Sequence, residues 1–127
     1  MLKEKKDLNG FEDDIYIEHR ALSRNKIDKM HWAQKSRLKA QYRLLIRNQM
    51  RLCKIKTTEE KCGIKIHCYV KRLMDVDNVW GGLKQFIDAL CDEGYIYDDS
   101  PIWLDIKEVR QIKSTIPKIR VVRKIYN

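Results

Sequence analysis

The sequence predicts an α+β fold, a small mixed sheet of about four strands with two main helices in the order β-α-β-α-β-β. Three observations predict it. Residues 64–70, IKIHCYV, alternate apolar and polar side chains, the period of a half-buried strand. Residues 32–53 carry apolar side chains at steps of three and four, the period of a helix resting on a core. The stretch 103–126 holds two more β-rich runs joined at Pro117.

Taken in order, residues 14–19 (DIYIEH) alternate weakly and form a short strand. Residues 20–31 form a polar, basic loop. The first long helix follows over about 32–53, with Leu38, Tyr42, Leu45, Ile46, Gln49, Met50 and Cys53 on its inner face. Lys35, Lys39, Arg43, Arg47 and Arg51 run along another face at strict steps of four. Like charges so spaced cost a few tenths of a kcal/mol per pair. The stripe is therefore either a solvated face or a seat for an anion. Residues 57–63 turn the chain into the strand 64–70, with Ile64, Ile66, Cys68 and Val70 inward and Lys65, His67 and Tyr69 outward. A second helix ends near Glu93 and Gly94, with Gly94 as its C-cap and with Val79, Leu83, Phe86, Ile87, Leu90 and Cys91 on its apolar face. Strands over 103–112 and 118–126 complete the fold. The expectation is one domain over 1–127, with 1–12 disordered.

Composition narrows the class. At 127 residues, 43% apolar and 35% charged, the chain suits a soluble domain able to bury a core without staples. No apolar run approaches the roughly 20 residues that span a bilayer. The first residues lack the apolar centre of a signal peptide, so the expected location is cytoplasmic and no membrane partner is expected. Cys53, Cys62, Cys68 and Cys91 contain no Cys-x-x-Cys pair and match no zinc spacing, and are read as buried, inert thiols. The net charge of +9 is unevenly spread. Over residues 20–56 there are 12 Lys and Arg against one acid, Asp28. Over residues 75–108 there are nine acids against two bases, Lys84 and Lys107. The first block suits a polyanion such as nucleic acid. The second would repel it unless a divalent metal intervened.

The acids sit in two motifs. In MDVDNVWGGLKQFIDAL, Asp75 and Asp77 lie two residues apart, so on an extended segment they point the same way. Two adjacent carboxylates suit Mg²⁺ or Mn²⁺, which prefer oxygen ligands. In GYIYDDSPI, Asp98 and Asp99 form a second pair. Plain alternatives exist: Asp77-Asn78 as a helix N-cap, Asp75 as a surface acid, Asp98-Asp99 as a turn before Pro101. Lys84 follows Asp77 by two helical turns if the helix is continuous. If instead the helix begins after Gly81-Gly82, Lys84 falls in its first turn. Asp88, four residues on, could orient the lysine, and the glycines would allow close approach of a nucleic-acid backbone. Two or three acids plus a lysine is the equipment of a metal-dependent phosphodiesterase.

The blocks Asp75-Val76-Asp77-Asn78, Lys84-Gln85-Phe86-Ile87-Asp88-Ala89-Leu90 and Gly94-Tyr95-Ile96-Tyr97-Asp98-Asp99-Ser100-Pro101-Ile102 resemble, in that order, the RusA family of Holliday-junction resolvases. The segment SRNKIDKMHW looks like that family's variable loop before the first helix. The resemblance implies a homodimeric, Mg²⁺-dependent endonuclease (Mn²⁺ substituting) that cuts four-way DNA junctions by paired incisions. It implies metal ligation by Asp75, Asp77 and Asp99 with Asp98 beside them, and Lys84 as catalytic lysine. Phosphate contacts would come from Arg24, Lys26 and Lys29 in the loop and from Lys35, Lys39, Arg43, Arg47 and Arg51 on the helix. The chain departs from the family at Trp80-Gly81-Gly82, three extra residues ahead of Lys84, and in a first loop, Leu22-Ser23-Arg24-Asn25, without proline. A protein of the same fold that binds branched DNA without cutting it is the alternative.

Overall fold

The structure, a computed structural model, describes residues 10–126. Along the chain lie β1 (Glu12–Ile17), α1 (Arg24–Asp28), α2 (Trp32–Leu52), β2 (Cys62–Val70), α3 (Val76–Gly82), α4 (Lys84–Asp92), β3 (Leu104–Lys113) and β4 (Lys118–Ile125). The strands form one sheet in the order β1-β4-β2-β3. β2 and β3 run parallel, joined by the crossover through α3 and α4. β4 enters between β1 and β2, antiparallel to both. The expected α+β class and four-stranded mixed sheet are what the chain adopts. Of the expected disordered stretch 1–12, residues 1–9 lie outside the described residues, and β1 already begins at Glu12. No helix among the described residues is long and apolar enough to cross a membrane.

The core follows from the two periodicities. Ile64, Ile66 and Cys68 of β2 meet Ile119 and Val121 of β4 and Ile15 and Ile17 of β1. Tyr42 and Ile46 of α2 and Phe86 and Leu90 of α4 are buried with them. Burying a side chain of this size contributes about 1.5–3 kcal/mol, so this cluster, rather than helix propensity, holds α2 and α4 in place. Phe86 stands edge-on to Tyr42, with ring centroids 5.7 Å apart.

Several expectations need correction. The segment over 20–31 is not all loop: Ser23 accepts the Lys26 N–H through its hydroxyl and starts the short helix α1. His31 then caps α2, with Gln34 bonding back in a reciprocal capping box. β1 starts and ends two residues earlier than expected. His67, expected outward, is buried, with Nε2 2.8 Å from the Glu108 carboxylate on β3. Cys53 is exposed rather than buried, while Cys62 and Cys68 are buried as expected and all four thiols are free. Burial pushes the Cys68 thiol up to about 12.

The second helix is two helices. Leu83, with ψ near −4°, separates α3 from α4. The glycine pair explains the break and has an internal use. A Cβ on Gly82 would land on the backbone carbonyl of Leu22, and one on Gly81 would strike the Arg24 side chain. The backbone approaching these glycines is therefore the protein's own, at the start of α1. Gly94, at φ +80°, ends α4 in the left-handed conformation as expected. Gly94 N–H donates to the Cys91 carbonyl and Tyr95 N–H to the Leu90 carbonyl, which closes the helix as a Schellman motif.

Candidate active site

β2 delivers the chain directly into the first acidic motif. Met74, the residue before Asp75, is clamped to β3: its N–H donates to Gln111 Oε1 and its carbonyl accepts from Gln111 Nε2, both at 2.7 Å. Asp75 is the N-cap residue of α3, but its side chain makes no capping hydrogen bond. Asp77 lies in the first helical turn, past the cap position that its expected capping role requires. Both carboxylates are exposed. At a helix N-terminus each is favoured by about 0.3–1 kcal/mol through the macrodipole, which offsets part of their mutual repulsion.

Lys84 is the first residue of α4, so of the two placements open to it the structure takes the one after the glycines. It forms no ion pair with Asp88 among the described residues, yet it is near enough to affect that group. Burial raises the Asp88 carboxyl above its ordinary range, Lys39 opposes the rise, Asp99 adds to it and Lys84 opposes it. Asp99 and Lys84 thus act on the Asp88 carboxyl in opposite directions. Burial raises the Cys91 thiol first, and Asp98, Asp99, Asp92 and Asp88 then raise it further. Asp98 is partly committed, since its carboxylate accepts the Asp99 N–H at 2.8 Å as a turn residue. Asp75, Asp77, Asp99 and Lys84 make no side-chain hydrogen bond or ion pair among the described residues. Nor do three or more His, Cys, Asp or Glu side chains gather among those residues as a ready metal cage. Mg²⁺ does not require one, because it keeps several waters and is commonly held by one or two carboxylates together with substrate phosphates. Asp75 and Asp77 supply oxygen donors of that kind, but Asp77 lies inside the helix, so the extended spacing expected to point the two carboxylates the same way does not hold.

The basic stripe on α2 has its anion, and the anion belongs to the protein. Glu93, just past α4, accepts from Arg47 Nε at 2.8 Å and Arg47 Nη2 at 2.9 Å, and from Arg43 Nε at 3.0 Å. Lys39 pairs with Asp92 at 3.3 Å. Arg51 donates to Asn48, and Arg24 lies 3.7 Å from Asp28. Lys26, Lys29 and Lys35 have no ion-pair partner among the described residues. Between α2 and α4 a groove of about 460 Å³ is lined by Lys35, Lys39, Arg43, Gln85 and Asp88. The Glu93 clamp leaves no local pattern in the sequence because its partners are 46 and 50 residues away.

The clamp has a pH signature. The Arg47 hydrogen bonds, then the one from Arg43, hold the Glu93 carboxyl below its ordinary value of 4.5 against the opposing effect of burial. A carboxylate depressed on folding contributes stability that is fully present above pH 4.5 and lost as pH falls through the lower folded value. The melting-temperature difference between wild type and Glu93→Gln is therefore expected to be widest at neutral pH and to close below about pH 4.5. A difference that stays constant on acidification would remove the clamp as its source.

Compared with protein-family models and with curated proteins, the chain has no significant match.

Proposed function

We propose that the chain is a metal-dependent endonuclease that cuts branched DNA, four-way junctions above all, by phosphodiester hydrolysis. One observation supports the reading most. In a protein of net charge +9, Asp75, Asp77 and Asp99 are left without partners among the described residues. Basic proteins ordinarily use their carboxylates as ion-pair partners, as this one does with Asp92 and Glu93. Carboxylates kept free are available to a cation.

In this reading Asp75 and Asp77 hold Mg²⁺, with Asp99 completing the set as the resemblance to the RusA family implies. The bound ion supplies an activated water and neutralises phosphate charge. Lys84, at the head of α4, stabilises negative charge on the reacting phosphate. Asp88, four residues on, tempers the local field rather than ligating metal. Lys26, Lys29 and Lys35, which no carboxylate among the described residues neutralises, contact phosphates and orient the strand. Two symmetric incisions call for two copies of the chain, so the active form is a homodimer.

The test is incubation of the protein with an end-labelled four-way junction, with linear duplex as control, in Mg²⁺ or in chelator. Paired nicks near the crossover, in Mg²⁺ only, are expected. Tight junction binding with no nick under any metal would replace this reading with that of a binding protein of the same fold.

A further inference from the structure

We propose that the end of the sheet where β2 and β3 terminate is a phosphate-binding surface for a nucleic-acid strand, built by Arg20, Lys71, Arg72 and Lys113. This rests on the reading of the chain as a DNA-acting enzyme and names cations that lie outside the RusA-like motifs.

Compensated charge is unevenly distributed over the molecule. Three of the five stripe cations on α2 face Asp92 or Glu93. Asp92 and Glu93 together set two negative charges against those three cations. Arg20, Lys71, Arg72 and Lys113 are exposed and have no ion pair or side-chain hydrogen bond among the described residues. They converge on two adjoining recesses. One, of about 340 Å³, has Arg20, Lys71 and Arg72 around a floor of Val70 and Met74. The other, more open and of about 770 Å³, is lined by Lys71, Lys113, Ser114 and Thr115. Lys71 belongs to both, and no acid lines either. A concave surface carrying one sign of charge concentrates its field outward and attracts polyanions.

The loop at its centre is also held by hydrogen bonds on either side. Ser114 N–H donates to the Val70 carbonyl at 2.8 Å, and Gln111 clamps Met74. The loop carrying Lys71 and Arg72 is therefore fixed at both ends. A surface ordered before binding loses less entropy on binding.

Its position relative to the acidic motif suits a single strand. Arg72 precedes Asp75 by three residues, so their Cα atoms are at most about 11 Å apart. A DNA strand advances about 3.4 Å along the helix axis per phosphate. A strand seated on Lys71 and Arg72 would therefore lie within about three phosphate spacings of Asp75.

The experiment is the salt dependence of binding to a labelled four-way junction, read by fluorescence anisotropy without divalent metal. Removing one phosphate-binding cation flattens the slope of log K against log salt by about 0.9. The triple variant Lys71→Ala/Arg72→Ala/Lys113→Ala is expected to flatten it by roughly 2 to 3. Arg43→Ala/Arg47→Ala, which removes cations already held by Glu93, is expected to flatten it by less than about 1. Should the triple variant melt early, the single variants Lys71→Ala and Arg72→Ala, each expected to flatten the slope by about 0.9, carry the same test. A wild type that binds or cuts junctions with a slope the sheet-end variants leave unchanged overturns the site and leaves the nuclease reading standing. A wild type that binds no DNA overturns both.

Discussion

Arg123→Ala is expected to destabilise the fold by about 3 kcal/mol, a fall of roughly 10 °C in melting temperature for a chain of this size. Arg123 lies on β4 and is 2% exposed. Its guanidinium donates twice to Asp13 Oδ2, at 2.9 and 2.7 Å, once to the Tyr95 carbonyl at 2.7 Å and once to the Lys56 carbonyl at 3.0 Å. It also stacks on the Tyr95 ring, 4.8 Å from its centroid. The Tyr95 hydroxyl in turn donates to the Asp13 carbonyl at 2.7 Å. One side chain thus ties β1, the turn after α2 and the segment after α4 to the centre of the sheet. Removing it leaves a half-buried carboxylate and two carbonyls without this donor, and groups so stranded cost more than the bonds themselves contribute. The segment it anchors leads directly into Asp98 and Asp99, so the same variant is expected to disturb the acidic pair. Urea melts of wild type and variant measure the effect, and a loss below about 1 kcal/mol, the net worth of one ordinary hydrogen bond, would show that water replaces this hub.

That hub is not legible in the sequence, and the reason is general. Periodicity reports which face of an element is buried. It places α2, β2, β4 and the apolar face of α4 well, because each has a run of residues that only one geometry can bury. Gly94 is legible because a left-handed helix end strongly favours glycine. Contacts between residues far apart leave no local trace. Arg123 is 110 residues from Asp13, and by sequence it looks like an ordinary member of a basic strand. The irregular register of β1 between Glu12 and Ile15, with Asp13 at φ +47°, is what turns the consecutive Asp13 and Asp14 toward Arg123 and Arg120. The same limit applies to the candidate site. The stripe Lys35-Lys39-Arg43-Arg47-Arg51 is visible in the sequence, as either a solvated face or a seat for an anion. That Glu93 sits against Arg43 and Arg47 is not. Gly81 and Gly82 are visible as an oddity in a helix, but their neighbour, the backbone at Leu22, lies far earlier in the chain.

Asp77→Asn is expected to reduce Mg²⁺-dependent junction cleavage by roughly 100-fold or more, while junction affinity measured without metal stays the same or rises. A carboxylate that holds the ion controls several kcal/mol of transition-state charge stabilisation, and each ~1.36 kcal/mol is tenfold in rate. Asparagine keeps the size and one oxygen but not the charge, so the loss isolates ligation from shape. The competing structural role predicts a different pattern. As an exposed acid in the first turn of α3, Asp77 contributes no more than about 1 kcal/mol through the helix dipole, and its removal would move melting temperature slightly and cleavage hardly at all. Relief of repulsion also differs between the two. A metal site built on Asp75 and Asp77 is costly when empty, because two carboxylates near one phosphate oppose binding, so the variant should bind bare junction at least as well as wild type. Single-turnover cleavage and anisotropy on the same protein preparations separate the cases. Cleavage within tenfold of wild type would exclude Asp77 as a metal ligand and leave Asp75 and Asp99 as the candidates. A large loss of cleavage with unchanged melting and undiminished binding would fix the first acidic motif as the place where the phosphodiester is broken.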